Sequence, residues 1–414
     1  MSSAAAQLDL VIFDDGRGRF GPLDQLWPAF AVRSGALRNA ARIEAVLNRR
    51  ASGFFVSPDA QALTVEAYPG CFVNDASSVS AVLAVNGRWS ADDDAAIDAV
   101  RGLRPGEALT TSRGELLAAH TDGPTLQTAW PNGLSAEAWD ASKAQTEAKL
   151  FARPWDVLDG LEARLTRDLA TMPLPVCSDL PHGVTRVGGH AIRLHARATL
   201  APHVHLDTTL GPIALDAGAA VHPFTVLEGP CYVGPDATVA ANATLRAGCA
   251  IGTGCKVGGE LKASILDDFS NKAHFGYLGN ALVGRWCNLG AGTTASNLKN
   301  TWGEVRVQLD ADGADEATGR AFLGPVLGDF VRTAIGTTLP TGAVVGAAAC
   351  LVASGFPPKH VPALTFLTDA GPEPTDLQAL QRTLERMMKR RGQAPTDALM
   401  QRLEALSAAR GASA

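Results

Sequence analysis

The first 142 of the 414 residues contain no lysine. Any phosphate grip in that segment therefore rests on arginine, whose planar fork is not equivalent to a compact ammonium. No apolar run approaches the roughly 18 residues that suggest a membrane span. The segment Met1 to Phe13 lacks a basic leader and a cleavage pattern, so no signal peptide is expected. The seven cysteines are odd in number, scattered and free of any CxxC pair. This speaks against a disulfide framework and against zinc ribbons, and fits a reducing cytoplasm. Positive charge is not in excess: 36 Lys and Arg face 42 Asp and Glu, for a net charge of −6, which gives no electrostatic reason to expect nucleic acid. The remaining composition is ordinary for a soluble protein, and the length allows two or three domains.

A repeat is present. Stepping by six from Leu215 meets Val221, Leu227, Val233, Val239, Leu245, Ile251 and Val257, all aliphatic. If about half of all positions were apolar by chance, such a run would occur roughly once in 250 tries. The residues two before each are Ile213, Ala219, Thr225, Cys231, Ala237, Ala243, Cys249 and Cys255, small in every case but the first. A period of six is the signature of a parallel β-helix, in which each hexad is one short strand and a bend. The aliphatic and small residues point inward, so Cys231, Cys249 and Cys255 read as core. The period extends upstream through Leu194, Leu200 and Leu206, with a slip at Leu210-Gly211-Pro212. It returns downstream at Leu327, Thr333, Leu339, Val345 and Leu351, so the repeat runs from about 190 to 356. The stretch 263 to 321 is less regular, and departures from a repeat are where loops and function collect.

The flanks differ. Leu8 to Phe13 reads as a buried strand, Asn39 to Arg50 as a helix, and Gly53–Val56, Cys71–Val73 and Val82–Val85 as further strands. That alternation predicts an α/β layer with a mainly parallel sheet. We divide the chain into an α/β domain at 1–134, a helical linker at 135–175, a β-helix at 176–363 and a helical tail at 364–414. The tail has Leu377, Leu380, Leu384, Met387 and Met388 at helical spacing, and its Lys389-Arg390-Arg391 cluster reads as a solvated helix end. A cut near Thr171 should leave a self-sufficient β-helix, since the hexads bury their own core.

The block Ser270-Asn271-Lys272-Ala273-His274-Phe275-Gly276-Tyr277-Leu278-Gly279 breaks the aliphatic pattern. It is followed by Asn288-Leu289-Gly290-Ala291-Gly292-Thr293-Thr294 and Ser296-Asn297-Leu298-Lys299-Asn300. Over about 180 to 360 the chain resembles the acetyltransferase half of bacterial bifunctional N-acetylglucosamine-1-phosphate uridyltransferase/glucosamine-1-phosphate N-acetyltransferases. With Phe13-Asp14-Asp15 at its start, it resembles a variant bacterial branch with a divergent nucleotidyltransferase-like first domain. The resemblance implies a left-handed coil, a homotrimer with sites between neighbours, and acetyl-CoA as co-substrate. By position it implies His274 as the base, Arg246 and Lys262 on the sugar phosphate, Tyr277 and Asn288 on the sugar, and Ala291 and Asn297 on acetyl-CoA. Lys299 would pair with the CoA phosphates, while 300–321 departs from the family's loop. The chemistry agrees: an ammonium must lose a proton before it attacks, and histidine suits that step near neutral pH.

The same resemblance implies a nucleotidyltransferase ancestry for the first domain, with Mg²⁺ as its metal. A Gly-rich loop with a lysine is usual there, but this chain has Asp14-Asp15-Gly16-Arg17-Gly18-Arg19, so Arg17, Arg19 or Arg33 must serve. Asn86 falls where an acidic metal ligand is expected. The expected function is acetyl transfer to an amino-sugar 1-phosphate, with nucleotidyl transfer from UTP as a second activity. The alternative is a degenerate first domain that binds a nucleotide sugar or supports assembly. A remote alternative is a zinc hydratase of the γ-carbonic anhydrase type, for which His203, His205 and His222 are the candidate ligands.

Overall fold

The computed structural model describes residues 8–130, 134, 143–311 and 313–412. The chain forms two compact units. The first takes the chain up to Phe20, then Leu26–Val32 and Leu37–Arg153; the second takes Gly21–Gln25, Arg33–Ala36 and everything from Pro154. Residues 135–142 of the expected linker lie outside the described residues.

The first unit runs β1 (Asp9–Phe13), α1 (Asn39–Leu47), β2 (Ala51–Phe55), α2 (Pro58–Ala67), β3 (Phe72–Val73), β4 (Val82–Asn86), α3 (Asp94–Arg101), β5 (Ala108–Thr111), β6 (Leu116–Thr121), α4 (Gly123–Ala129) and β7 (Lys143–Thr146). They form one sheet in the order β3-β2-β1-β4-β6-β5-β7. β1 pairs parallel with β2 and β4, while β6 is antiparallel to β4 and β5. A strand covered on both faces reads as continuous apolar sequence. In β1, Leu10 and Ile12 pack with Ile43, Leu47, Ile97 and Val100, while Val11 and Phe13 pack with Phe55, Ala84 and Leu126. α1 stops short of the expected Arg50 because Asn48 turns left-handed at φ +50°, a conformation Asn tolerates. Lys143–Thr146, expected to be helical, is instead a strand parallel to β5. The open edge of β5 offers backbone partners that outweigh the weak local preference of Lys-Ala-Gln-Thr.

The second unit is a β-helix beginning at Thr185, a little before the repeat is legible. Its short strands stack into parallel ladders of nine, six and five members, with shorter ladders beyond. Ile213 pairs with Cys231, and Cys231 with Cys249, so one coil takes three hexads. All eight aliphatic residues from Leu215 to Val257 are 0 to 2% exposed and share one core with the small inward residues. Burial pushes the thiols of Cys231, Cys249 and Cys255 up, which makes them poor nucleophiles. One corner recurs in left-handed backbone, at His203 (φ +67°), Phe224 (φ +62°) and Asn242 (φ +61°). The irregular stretch holds an antiparallel excursion, Arg306–Val307 against Glu316–Ala317, after which the coils resume at Val326–Leu327. Among the described residues the unit also holds the α-helices α5 (Leu161–Thr171), α6 (Leu377–Lys389) and α7 (Asp397–Ala412). α6 starts at Asp376, whose carboxylate accepts from the N–H groups of Gln378 and Ala379, and it buries Leu380, Leu384 and Met388.

Candidate functional site

The register of the coils sorts the candidate residues onto two outer faces. On the six-stranded ladder Leu245, Leu261 and Leu278 point inward. Their strand neighbours point outward, since side chains alternate along a strand. Glu260 lies beside Tyr277, and Lys262 beside Gly279 on the next coil. The Arg246 guanidinium is 3.1 Å from the Glu260 carboxylate, both about half exposed. Asn297 Nδ2 donates to Tyr277 Oη at 3.0 Å and to Asn280 Oδ1 at 2.8 Å. Burial, then the Glu260 charge, pushes the Tyr277 phenol up, so it stays protonated near neutral pH.

The second face is a column of outward residues on the adjacent ladder. Lys256 pairs with Asn271, Asn271 with Asn288, and Asn288 with Arg332. His274 sits at the corner between the two faces, after the strand Asn271–Lys272 and before Tyr277–Gly279. Its side chain is exposed. A cavity of about 700 Å³ opens beside it, lined by His274 and Asn288 together with residues of α6 and the turn after it. The structure thus places His274 and Asn288 in one cavity, and Arg246, Lys262, Tyr277 and Asn297 around the corner. Ala291 lies in the next turn, with its carbonyl accepting from the Gly336 N–H at 2.7 Å. Lys299 Nζ donates to the Glu304 carbonyl at 2.9 Å.

Two features of this region escaped the sequence reading. Lys272 occupies an inward position: Val257 pairs with it, and it is 1% exposed. Its ammonium donates to the carbonyls of Gly258, His274 and Phe275, and burial pushes its pKa down to about 8. It is a strut beneath the His274 corner and does not face a substrate. The signal was available, because the inward column Val221, Val239, Val257 continues with a lysine. The other feature is the basic cluster after α6, which is more than a solvated helix end. Arg390 and Arg391 line the cavity, and Arg391 donates to Asn271 Oδ1 at 3.2 Å.

In the first unit the sheet order reverses between β1 and β4, and ligands of open α/β sheets bind outside strand carboxyl ends at such a point. Asp14 and Asp15 follow β1, and Asn86 ends β4. Arg88, which the sequence reading passed over, dominates this corner. It is 1% exposed, and it donates to both Asp15 oxygens at 2.7 Å and to Glu115 Oε1 at 2.7 Å. Burial raises the Asp15 carboxyl, but the Arg88 bonds and charge more than offset this and hold it below its ordinary value. Asp14 goes the other way: burial pushes it up despite N–H groups from Ala29 and Gly16. Asn86 is buried and donates to Asp15 and to the Leu116 carbonyl, both at 2.9 Å. Arg17 is exposed, and its backbone N–H donates to Asp15 Oδ1 at 3.1 Å.

Arg33, expected beside a nucleotide, belongs to the second unit. Its Nε is 3.0 Å from Asp267 and its Nη2 2.8 Å from Asp268. Its planar fork is thereby committed to two carboxylates of the β-helix. Two histidines of the zinc reading have other partners: His203 stacks on Phe224 at 5.0 Å, and His205 Nδ1 is 2.8 Å from Thr185 Oγ1. Among the described residues no three His, Cys, Asp or Glu side chains come together as a metal site.

Residues 10–173 match the sugar nucleotidyl transferase family. A bifunctional sugar-1-phosphate nucleotidylyltransferase/acetyltransferase of Sulfurisphaera tokodaii is 34% identical over 88 residues, 21% of each chain. The bifunctional protein GlmU of Methanococcus vannielii is 31% identical over 108 residues, 26% of this chain and 25% of the relative. GlmU of Acidovorax ebreus is 26% identical over 215 residues, 50% of this chain and 44% of the relative. The matches thus span less than half the length of these relatives. The chain carries a sugar nucleotidyltransferase domain joined to a β-helix, and it is a distant homologue of GlmU-like bifunctional nucleotidyltransferase/acetyltransferases.

Proposed function

We propose that the β-helix transfers acetyl from acetyl-CoA to the amine of an amino-sugar 1-phosphate, with glucosamine 1-phosphate as the acceptor. The observation that carries this reading is His274, exposed at the corner where the hexads break and braced by the buried Lys272. The His274 imidazole takes a proton from the acceptor's ammonium. The freed nitrogen attacks the thioester carbonyl, and collapse of the tetrahedral intermediate expels the CoA thiolate, which is then protonated. Tyr277 and Asn288 would hold the sugar, Arg246 and Lys262 its phosphate, and Ala291, Asn297 and Lys299 the acetyl-CoA. Thiol release from acetyl-CoA, dependent on glucosamine 1-phosphate, tests the reading. No release above background with any amino-sugar 1-phosphate would refute it.

The first unit is proposed to be the weaker enzyme. Mg²⁺ prefers one or two free carboxylates with substrate phosphates. Here Asp15 is locked to Arg88, Asp14 is pushed toward its neutral form, and Asn86 carries no charge. These residues do not fit a divalent cation. UDP-sugar formation from UTP and a sugar 1-phosphate should therefore be slow or absent, which favours a nucleotide-sugar-binding or supporting role. UDP-sugar formation matching the rate of acetyl transfer would overturn that ranking.

The β-helix is also proposed to assemble as a homotrimer. Phe224, Phe275 and Ile335 stand 60%, 76% and 81% exposed along the corner that carries His274. A second copy packed there would cover this apolar edge and approach the site. Light scattering at micromolar concentration should give three chain masses; a single chain mass contradicts the assembly.

A further inference from the structure

The cavity beside His274 is unusually one-sided in charge. Lys256 and Arg332 come from the outward column, Arg390 and Arg391 from the end of α6, and no Asp or Glu lines it. Among the described residues none of these four cations forms an ion pair with a carboxylate. Arg332 is half-buried, and its buried Nε has no hydrogen-bond partner there. Four cations gathered around a volume of about 700 Å³ repel one another unless an anion joins them. The carbonyl end of α6 supplies only about half a unit of opposing charge. Phe269 and Trp286, stacked at 4.5 Å with 22° between their planes, also line the cavity. Cations beside an aromatic wall suit a ligand that combines phosphates with a planar ring.

We propose that this cavity binds a nucleoside diphosphate ester, with α6 as its cationic wall. The charge count favours two or more phosphates over the single phosphate of a sugar 1-phosphate. Two ligands share this chemistry: an acyl-CoA donor and a nucleoside diphosphate sugar. The inference deepens the acetyl-transfer reading by naming where the donor's phosphates rest, and it commits Arg390 and Arg391, which that reading does not use.

The test is isothermal titration of the full chain with CoA, UDP-glucose and glucosamine 1-phosphate. One of the two diphosphates should bind, with affinity falling steeply as salt rises. Arg390→Gln combined with Arg391→Gln should raise its Kd at least tenfold, while the neighbouring exposed Lys389→Gln should leave it unchanged. The buried side of α6 is Leu380, Leu384 and Met388, so these changes should not unfold it. Tighter CoA binding identifies the acyl donor, and tighter UDP-glucose binding the nucleotide sugar. The proposal is overturned if neither diphosphate binds, or if the double variant leaves both Kd values unchanged. His274→Ala separates the two readings, because it should lower kcat roughly 10²-fold while Arg390 and Arg391, which carry the phosphate grip, remain and diphosphate binding persists. Normal binding with no acetyl transfer in the unaltered chain would discard the acetyl-transfer reading and leave this site standing.

Discussion

Replacing His274 with Ala is expected to lower the kcat of acetyl transfer by roughly 10²-fold or more, the scale of removing a general base. The fold should survive, because the imidazole is exposed at a corner and contributes nothing to the aliphatic core. KM for both substrates should change little. Turnover near that of the unaltered chain would dismiss His274 as the base. A companion change separates the base from its support. Lys272 holds the carbonyls of His274 and Phe275, so Lys272→Met should loosen the corner and lower kcat about tenfold. Its pKa is pushed down to about 8, so the strut loses a proton, and with it one of three donors, as pH rises through that value. The kcat profile should therefore bend down above about 8, and the bend should vanish in Lys272→Met. A bend that persists there would assign the limb to another group.

Arg33→Ala is expected to destabilise the β-helical unit by about 3 kcal/mol, the scale of breaking a buried ion pair from one side. Arg33 is 9% exposed, Asp267 11% and Asp268 18%, so the charges have little access to water. Burial alone would push the guanidinium pKa down, but Asp268 and Asp267 more than offset it, so the group stays charged. Arg285, 3.5 Å from Asp267, remains in the variant and keeps the loss from being larger. Denaturant unfolding of the full chain measures the effect, and a change under 1 kcal/mol would show the pair to be marginal. The same residues revise the expectation for a cut near Thr171. Arg33–Ala36 and α5 are part of the second unit, so a fragment starting there loses both and should fold poorly, although its hexads are intact.

Much of this was legible in the sequence because a repeat is a local rule applied many times. Each hexad needs an aliphatic residue where the coil closes, so Leu215 through Val257 announced the ladder and the inward cysteines. The break at Ser270–Gly279 was legible for the same reason, since a polar run stands out against a strict period. What the sequence left open involves partners distant in the chain. The period puts Lys272 inward, but it does not say that its ammonium will reach the Gly258 carbonyl, 14 residues back on the preceding coil. Nothing near Arg88 says that it will cross 73 residues to take both oxygens of Asp15. The sequence by itself determined the fold of the second half, because that follows from periodicity, and the break in the period marked the segment that holds His274, whose role as base is what the resemblance implies. Only the tertiary structure decided that the carboxyls of Asp14 and Asp15 shift in opposite directions, where Arg33 lies and that Arg390 and Arg391 line the cavity. Those depend on desolvation and on which charges meet when remote segments pack, and a one-dimensional pattern carries neither quantity.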